Sequence, residues 1–203
     1  MSNTASNVSA HPYPGKGALD LLALSAACLA LAPLAAGIAL ATWAEDGGPP
    51  FFLQTRLGRD RRPFTVVKFR SMSQERVTRV GTVLRRTGLD ELPQFINVAR
   101  GEMSLVGPRP LTRRDVARLG WDTSGYDWRF AAKPGITGLS QLLAGRGARF
   151  SRRLDRLYLK RQSLTLDVSL IAFSFAANVL GKRRIRKWLR RVSVAEGREP
   201  RPL

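Results

Sequence analysis

From Leu21 to Trp43 the chain carries no charged residue, and that uncharged run limits the folds open to it more than any other feature. About 23 such residues in helical form suffice to cross a bilayer core of roughly 30 Å. A core helix of a soluble protein seldom runs so long without a charge. A secretory signal peptide would have a shorter apolar core, a more basic start and no charge like Asp20 beside it. Pro33 falls near the middle, where it removes one backbone hydrogen bond and favours a kink. A kinked span and a re-entrant hairpin are both open on this ground. The flanks, Lys16 before the run and Glu45 and Asp46 after it, would in a simple span place the basic remainder outside, away from cytosolic nucleotides. A hairpin returning to the same leaflet keeps Lys16 and every later arginine at the cytoplasmic surface.

The remainder is strongly cationic. Against 15 Asp and Glu stand 34 Lys and Arg, a formal charge of +19, which predicts a polyanionic partner: nucleic acid, an anionic membrane surface or phosphorylated substrates. At 203 residues and 44% hydrophobic the chain can bury one core. Cys28 is the only cysteine and His11 the only histidine, which excludes an intrachain disulfide and argues against histidine-dependent triads and histidine zinc sites. The chain thus divides into a leader over 1–15, a proline-broken membrane segment over 16–46, a catalytic or binding domain over 47–181 and a basic tail over 182–203.

Within that domain, Phe51 to Leu53 and Phe64 to Val67 read as extended segments joined by a basic loop from Gly58 to Pro63. Lys68 and Arg70 flank Phe69, an alternation that puts both cations on one face of an extended chain. A helix from about Thr78 to Arg86 carries Arg85 and Arg86 up to the acidic pair Asp90-Glu91. Pro93 is tolerated only in a first turn, so the register has Asp90 as N-cap, Glu91 first in the helix and Gly101 as the stop, with Leu92, Phe95, Ile96 and Ala99 as the buried stripe. On spacing alone the pair reads either as a cap complementing the helix dipole or as a metal and phosphate site, since a helix start also attracts phosphate. Arg109 between Pro108 and Pro110 is stiffly presented, as suits bidentate phosphate contact. Lys133 to Gly138 is a glycine-rich turn whose backbone can approach a ligand, and Gly145-Arg146-Gly147 offers another arginine.

Leu154, Leu157 and Tyr158 lie at helical spacing, and Val168 to Leu180 is apolar but too short to span. Lys182 to Arg191 sets Trp188 among many cations, a composition suited to a helix on anionic lipid; a nucleic-acid-binding tail is the competing reading.

Taken together, these motifs resemble the bacterial sugar transferases, the monotopic polyprenol-phosphate phosphoglycosyl transferases. The resemblance runs in collinear order from Lys16 and Asp20 through the Pro33 run, Phe51-Phe52 with Gln54 and Arg56, Lys68-Phe69-Arg70-Ser71-Met72, Leu89-Asp90-Glu91-Leu92-Pro93-Gln94, Gly107-Pro108-Arg109-Pro110 and Pro134-Gly135-Ile136-Thr137-Gly138 to Leu166-Asp167. It implies an α+β, mostly helical fold with a small catalytic domain, a re-entrant membrane helix broken at Pro33 and amphipathic surface helices. It further implies Mg²⁺ and transfer of a sugar phosphate from a UDP-sugar to undecaprenyl phosphate at the cytoplasmic face of the bacterial inner membrane. By the resemblance Asp90 is the nucleophile that expels UMP and forms a covalent phosphoglycosyl-aspartate, and Glu91 helps to hold the metal. Lys68, Arg70, Arg85, Arg109 and Arg146 are the candidate phosphate contacts.

Ala32, Gly88 and Leu139 stand where members often have serine, serine and tryptophan. The larger members carry a multi-span domain ahead of the catalytic part, and this chain resembles the minimal catalytic form. Two readings from other classes compete: a non-catalytic membrane scaffold of the same fold, which the intact Asp90-Glu91 pair speaks against, and a basic nucleic-acid binder, which predicts strongly salt-dependent oligonucleotide affinity.

Overall fold

The computed structural model describes residues 12–143 and 147–180, for 23–30 and 179–180 by backbone alone. In chain order the elements are α1 (Lys16–Asp46), β1 (Phe51–Leu57), β2 (Pro63–Phe69), β3 (Met72–Ser73), β4 (Arg76–Val77), α2 (Arg79–Thr87), α3 (Phe95–Ala99), β5 (Ser104–Val106), α4 (Arg113–Arg118), α5 (Asp127–Phe130), β6 (Gly135–Thr137), α6 (Leu139–Leu142), α7 (Ala148–Arg161) and α8 (Leu164–Leu180). The fold is α+β and mostly helical, with three two-stranded sheets among the described residues. The basic tail over 182–203 and most of the leader fall outside the described residues.

Pro33 lies inside α1, which stays helical from Lys16 to Asp46; the proline removes a hydrogen bond without ending the helix. Among the described residues no helix is long and apolar enough to cross a membrane. Both ends of α1 are instead fastened to the rest of the protein. Near its start, Lys16 pairs with the buried Asp167 of α8, and Asp20 accepts from Ser104 Oγ at 2.7 Å and Leu105 N at 3.2 Å. At its end, Glu45 accepts from Arg79 N at 2.6 Å and Val80 N at 3.1 Å, while Asp46 takes Arg70. Charges that flank the apolar run in sequence are thus tertiary partners, and Glu45 caps α2 by satisfying N–H groups that a helix start leaves open. Between these anchors Leu21, Leu22, Leu34, Leu40 and Trp43 are exposed.

The two expected extended segments are present, and they pair as a hairpin: β1 runs antiparallel to β2 from Phe51 opposite Phe69 to Leu57 opposite Pro63. Phe64 and Val66 of β2 enter a core shared with Val98, Met103, Leu105, Val106, Tyr158, Leu159 and Leu170. A second cluster joins Ile38 of α1 to Phe69 and Leu84, so the end of the hairpin sits against the apolar helix.

The parallel pair β5 and β6 brings two distant loops together. Gly107 N donates to Thr137 O at 3.0 Å and Gly135 N to Pro108 O at 2.9 Å. A Cβ on Gly135 would lie 2.0 Å from Gly107 N, so glycine is required by backbone packed on backbone. The glycine-rich 133–138 segment, expected to be a turn approaching a ligand, contains the strand Gly135–Thr137, and its glycines approach the Gly107 loop.

The acidic pair also departs from its expected register. Residues Leu89–Gln94 form a 3₁₀ turn with Gly88 (φ 75°) as its cap, and α3 comes directly after it. Asp90 lies inside the turn and is not the N-cap. Three residues per turn rather than 3.6 rotate the faces of the adjoining helix, so Pro93, Gln94, Asn97 and Val98 are buried while Ile96 is exposed. Gly101 (φ 72°) does end the segment.

Candidate active site

Asn97, wholly buried, registers the acidic turn against the hairpin. Its Oδ1 accepts from Val67 N at 3.2 Å, and its Nδ2 donates to Thr65 O and to Glu102 Oε2, each at 2.7 Å. Two of these bonds fix β2 beside the turn and the third goes to Glu102, so both ends of the buried carboxamide are partnered. The next residue along β2, Lys68, then donates from Nζ to Glu91 Oε1 at 2.7 Å. The Lys68 and Glu91 side chains are 22% and 33% exposed, open enough to meet a ligand. Glu91 Oε2 has no protein partner among the described residues.

Glu91 and Lys68 share a small recess with Arg56, Gln94, Arg109 and Gln141. Arg56 donates to Pro110 O at 3.1 Å, and burial, followed by the nearby Arg109 cation, pushes its guanidinium below the ordinary value. Asp115, whose Oδ2 is 3.6 Å from Arg56, offsets part of this, and the two guanidiniums give the recess a cationic side suited to an anion. Arg109 itself is exposed and set by its backbone: its carbonyl accepts from Nη2 of the buried Arg129 at 2.7 Å, and Arg129 Nε donates to Asp155 at 2.8 Å.

Of the residues singled out in sequence, the structure gathers Lys68, Glu91 and Arg109 in this recess and places half-buried Asp90 next to Glu91 in the same turn. Arg70 does not join them; it is engaged by Asp46 and by Pro49 O at 2.6 Å. Lys68 is in a strand, whereas Arg70 lies just past the strand end, so the alternation that suggested a shared face does not hold them together. Arg85 donates to Ser71 Oγ at 2.9 Å on the exposed side of α2, and its neighbour Arg86 is the one that lines the adjoining cavity. Arg146 lies outside the described residues. Arg56, Asn97, Arg129 and Asp155 were not identified as site residues from sequence. Only Arg56 left a local signal, its two-residue spacing from Gln54 along a strand.

A larger cavity of about 870 Å³ opens beside the recess, sharing Glu91, Arg109, Ile136 and Gln141 with it. Its walls are mainly apolar, from Leu89, Leu92, Phe95, Leu105, Ile171 and Phe175, and it reaches Leu31 of α1, two residues before Pro33. A cationic recess containing carboxylate thus adjoins an apolar cavity that leads to the apolar helix. Among the described residues no three His, Cys, Asp or Glu side chains gather as a metal site. A metal here would depend on the acidic pair with oxygens supplied by a substrate, a donor set that suits magnesium.

Hairpin, acidic turn and paired glycine loops in this order define a protein class, and the family described as bacterial sugar transferase matches residues 12–181. The chain belongs to that family. Among its relatives, the UDP-N-acetylgalactosamine-undecaprenyl-phosphate N-acetylgalactosaminephosphotransferase of Aeromonas hydrophila is 39% identical over 184 residues, covering 81% of this chain and 43% of the relative. The UDP-glucose:undecaprenyl-phosphate glucose-1-phosphate transferase of Escherichia coli (strain K12) is 38% identical over 177 residues, covering 77% of this chain and 38% of the relative. This chain therefore spans less than half of either. The exopolysaccharide production protein PSS of Rhizobium leguminosarum bv. phaseoli is 35% identical, with 77% of this chain matched to 90% of its length.

Proposed function

We propose that this protein transfers a sugar 1-phosphate from a UDP-sugar to undecaprenyl phosphate, as the first membrane step in assembling a surface glycan. The observation that carries the reading is the cationic recess of Lys68, Arg56 and Arg109 around Glu91, opening into an apolar cavity that reaches α1. The charge of the recess suits phosphate oxygens at its mouth, and the apolar walls of the cavity suit a hydrocarbon chain.

In this reading an Asp90 carboxylate oxygen attacks the phosphorus next to the sugar. The new bond is aspartyl oxygen to phosphorus; the bond broken is from that phosphorus to the bridging oxygen, which leaves with UMP. A phosphate oxygen of undecaprenyl phosphate then attacks the same phosphorus, restoring the free carboxylate and giving the lipid diphosphate sugar. Lys68, Arg56 and Arg109 offset the negative charge that develops on the phosphoryl oxygens and on the leaving UMP. Magnesium would be held by Glu91 together with substrate phosphate oxygens, adding a fixed positive charge at the diphosphate.

The membrane part of the proposal is that α1, which remains helical through Pro33, bends there in the membrane so that both its ends lie at one leaflet and the active site faces the cytoplasm. Its support is that the two ends of α1, through Lys16 and Asp20 and through Glu45 and Asp46, are fastened to the same body while the stretch between exposes leucines. Exposed Val168, Phe173 and Phe175 of α8 and the basic 182–203 segment would add contacts with anionic lipid.

The test is UMP release from a panel of UDP-sugars with undecaprenyl phosphate in detergent. Wild type is expected to turn over and to retain label from a sugar-labelled donor on the protein when lipid is withheld, whereas Asp90→Asn shows neither. Full turnover by Asp90→Asn would remove the nucleophile assignment, and absence of UMP release from every donor would remove the proposed activity.

A further inference from the structure

The neutral polar groups along the 870 Å³ cavity can be accounted for one by one. Thr82 donates to Thr78 O at 3.0 Å, Thr87 to Val83 O at 2.8 Å, and Thr137 and Ser174 bond to each other. Gln141 Nε2 donates to Gly135 O at 3.1 Å and Ile136 O at 3.2 Å. The exceptions are Gln141 Oε1, enclosed with no partner among the described residues, and the carboxamide of Asn178, which has no hydrogen-bond partner among the described residues although it lines the cavity and is half-buried. The Asn178 amide atoms stay open to the cavity, so both its donor and its acceptor are available to a bound group.

Asn178 reaches this place because Gly88 has no side chain. A Cβ on Gly88 would lie 2.5 Å from Asn178 Nδ2, 2.9 Å from Cγ and 3.0 Å from Oδ1, so the carboxamide of α8 occupies the space directly over the cap of the acidic turn. Gly88 itself holds φ 75°, where a side chain is strained in any case. Asn178 thereby lies against Gly88, two residues before Asp90, on another element, and it is neutral where the phosphate-facing residues are cationic.

We propose that Asn178 is a specificity-determining residue that hydrogen-bonds a hydroxyl or acylamino substituent on the sugar of the donor. The inference rests on the transferase reading. Among the groups that reading brings to the cavity, phosphates are served by Lys68, Arg56 and Arg109, and a polyprenyl chain offers no hydrogen-bonding atoms. The uridine and the sugar of the donor are the neutral groups carrying both donors and acceptors, and a carboxamide answers both kinds of group. The sugar is the one bonded to the reacting phosphorus, and a uridine contact would instead weaken all UDP-sugars alike. Because a site built to bond a substrate hydroxyl rejects an analogue lacking or misplacing it far better than an apolar wall does, Asn178 would decide between sugars rather than speed all of them.

The experiment compares wild type, Asn178→Ala and the near-isosteric Asn178→Asp on UDP-glucose, UDP-galactose and their N-acetylated counterparts, recording kcat/KM for each donor and KM for undecaprenyl phosphate. In both variants the ratio of kcat/KM between the best donor and its C4 epimer or N-acetyl counterpart is expected to fall roughly tenfold or more. The KM for undecaprenyl phosphate and the thermal midpoint should stay within about twofold and a few degrees of wild type. Ratios unchanged in both variants, a uniform loss across all donors, or a change confined to the lipid KM would each overturn the assignment. If wild type releases no UMP from any donor, the transferase reading fails first and this inference with it; active wild type with unmoved ratios sinks the inference alone.

Discussion

Arg129 Nε donates to Asp155 Oδ2 across 2.8 Å, and the two side chains are only 4% and 3% exposed. The other arm of Arg129 reaches the Arg109 carbonyl, so a fully buried ion pair sets the height of an arginine in the active-site recess. Removing one partner leaves an unpaired buried charge, at a cost of about 3–5 kcal/mol. Arg129→Met is therefore expected to lower the thermal midpoint strongly, and Arg129→Met with Asp155→Leu to recover much of that loss. Neither should recover UMP release, because the Arg109 carbonyl has lost its donor. Thermal unfolding alongside UMP release separates the two effects, and recovery of both together would contradict the positioning role.

Lys68 and Glu91 form a contact of the opposite kind. A pair this open to solvent contributes about 0–1 kcal/mol to stability, so Lys68→Met should shift the thermal midpoint by only a few degrees. Its effect on turnover is expected to be about 100-fold or more, since a preorganised cation at developing phosphoryl charge is lost. A loss of turnover proportional to loss of folded protein would remove Lys68 from the chemistry.

Gly135 is predicted to tolerate no side chain at all. With backbone atoms of Gly107 and Thr137 2.0 and 2.4 Å from its missing Cβ, Gly135→Ala must separate β5 from β6, and little folded protein should accumulate. Gly17→Ala is the control, because a Cβ there meets nothing within 4 Å and alanine favours the helix by up to about 1 kcal/mol. Yield of detergent-folded protein measures both.

Acid should loosen the end of α1. Hydrogen bonds from Arg70, then Ser73 and the Gly48 N–H, hold Asp46 well below the usual carboxylate range. Glu45 is also lowered: loss of hydration opposes the shift, but the N–H groups of Arg79 and Val80 outweigh it. Depressed folded values mean stabilisation that is complete above the unfolded values of about 4 and is lost as pH falls through the folded ones. The thermal midpoint of wild type is expected to drop more steeply than that of Glu45→Gln with Asp46→Asn between about pH 5 and pH 2. Parallel curves would show that these acids do not hold the helix.

If α1 is re-entrant, single cysteines near Ser6 and near Gly47, introduced after Cys28→Ser, are both labelled only from the cytoplasmic side. An impermeant thiol reagent applied before and after lysis makes the distinction, and labelling of either from outside establishes a span.

Local chemistry accounts for the features legible in the chain. Thr78 caps α2 by accepting from Gly81 N at 2.9 Å, Gly101 stops the acidic segment, and the alternating residues of the hairpin form paired strands, because caps, stops and short strands depend on neighbours in sequence. The register of the acidic turn was not legible, since both 3₁₀ and α geometry accept Pro93 and the choice depends on Asn97 being drawn to β2. Nor was the fate of Arg70, whose partner Asp46 lies 24 residues away.

The sequence by itself determined the composition of the site: an acidic pair among cations, stiff arginine and glycine loops, and an apolar helix with a central proline. Only the tertiary structure decided which cations face the pair, that the glycines serve the contact between β5 and β6, and that Asn178 lies over Gly88. Those outcomes depend on which atoms come within a few ångströms across long chain separations. Close packing and the need to partner every buried polar group set that relation, and spacing along the chain does not encode it.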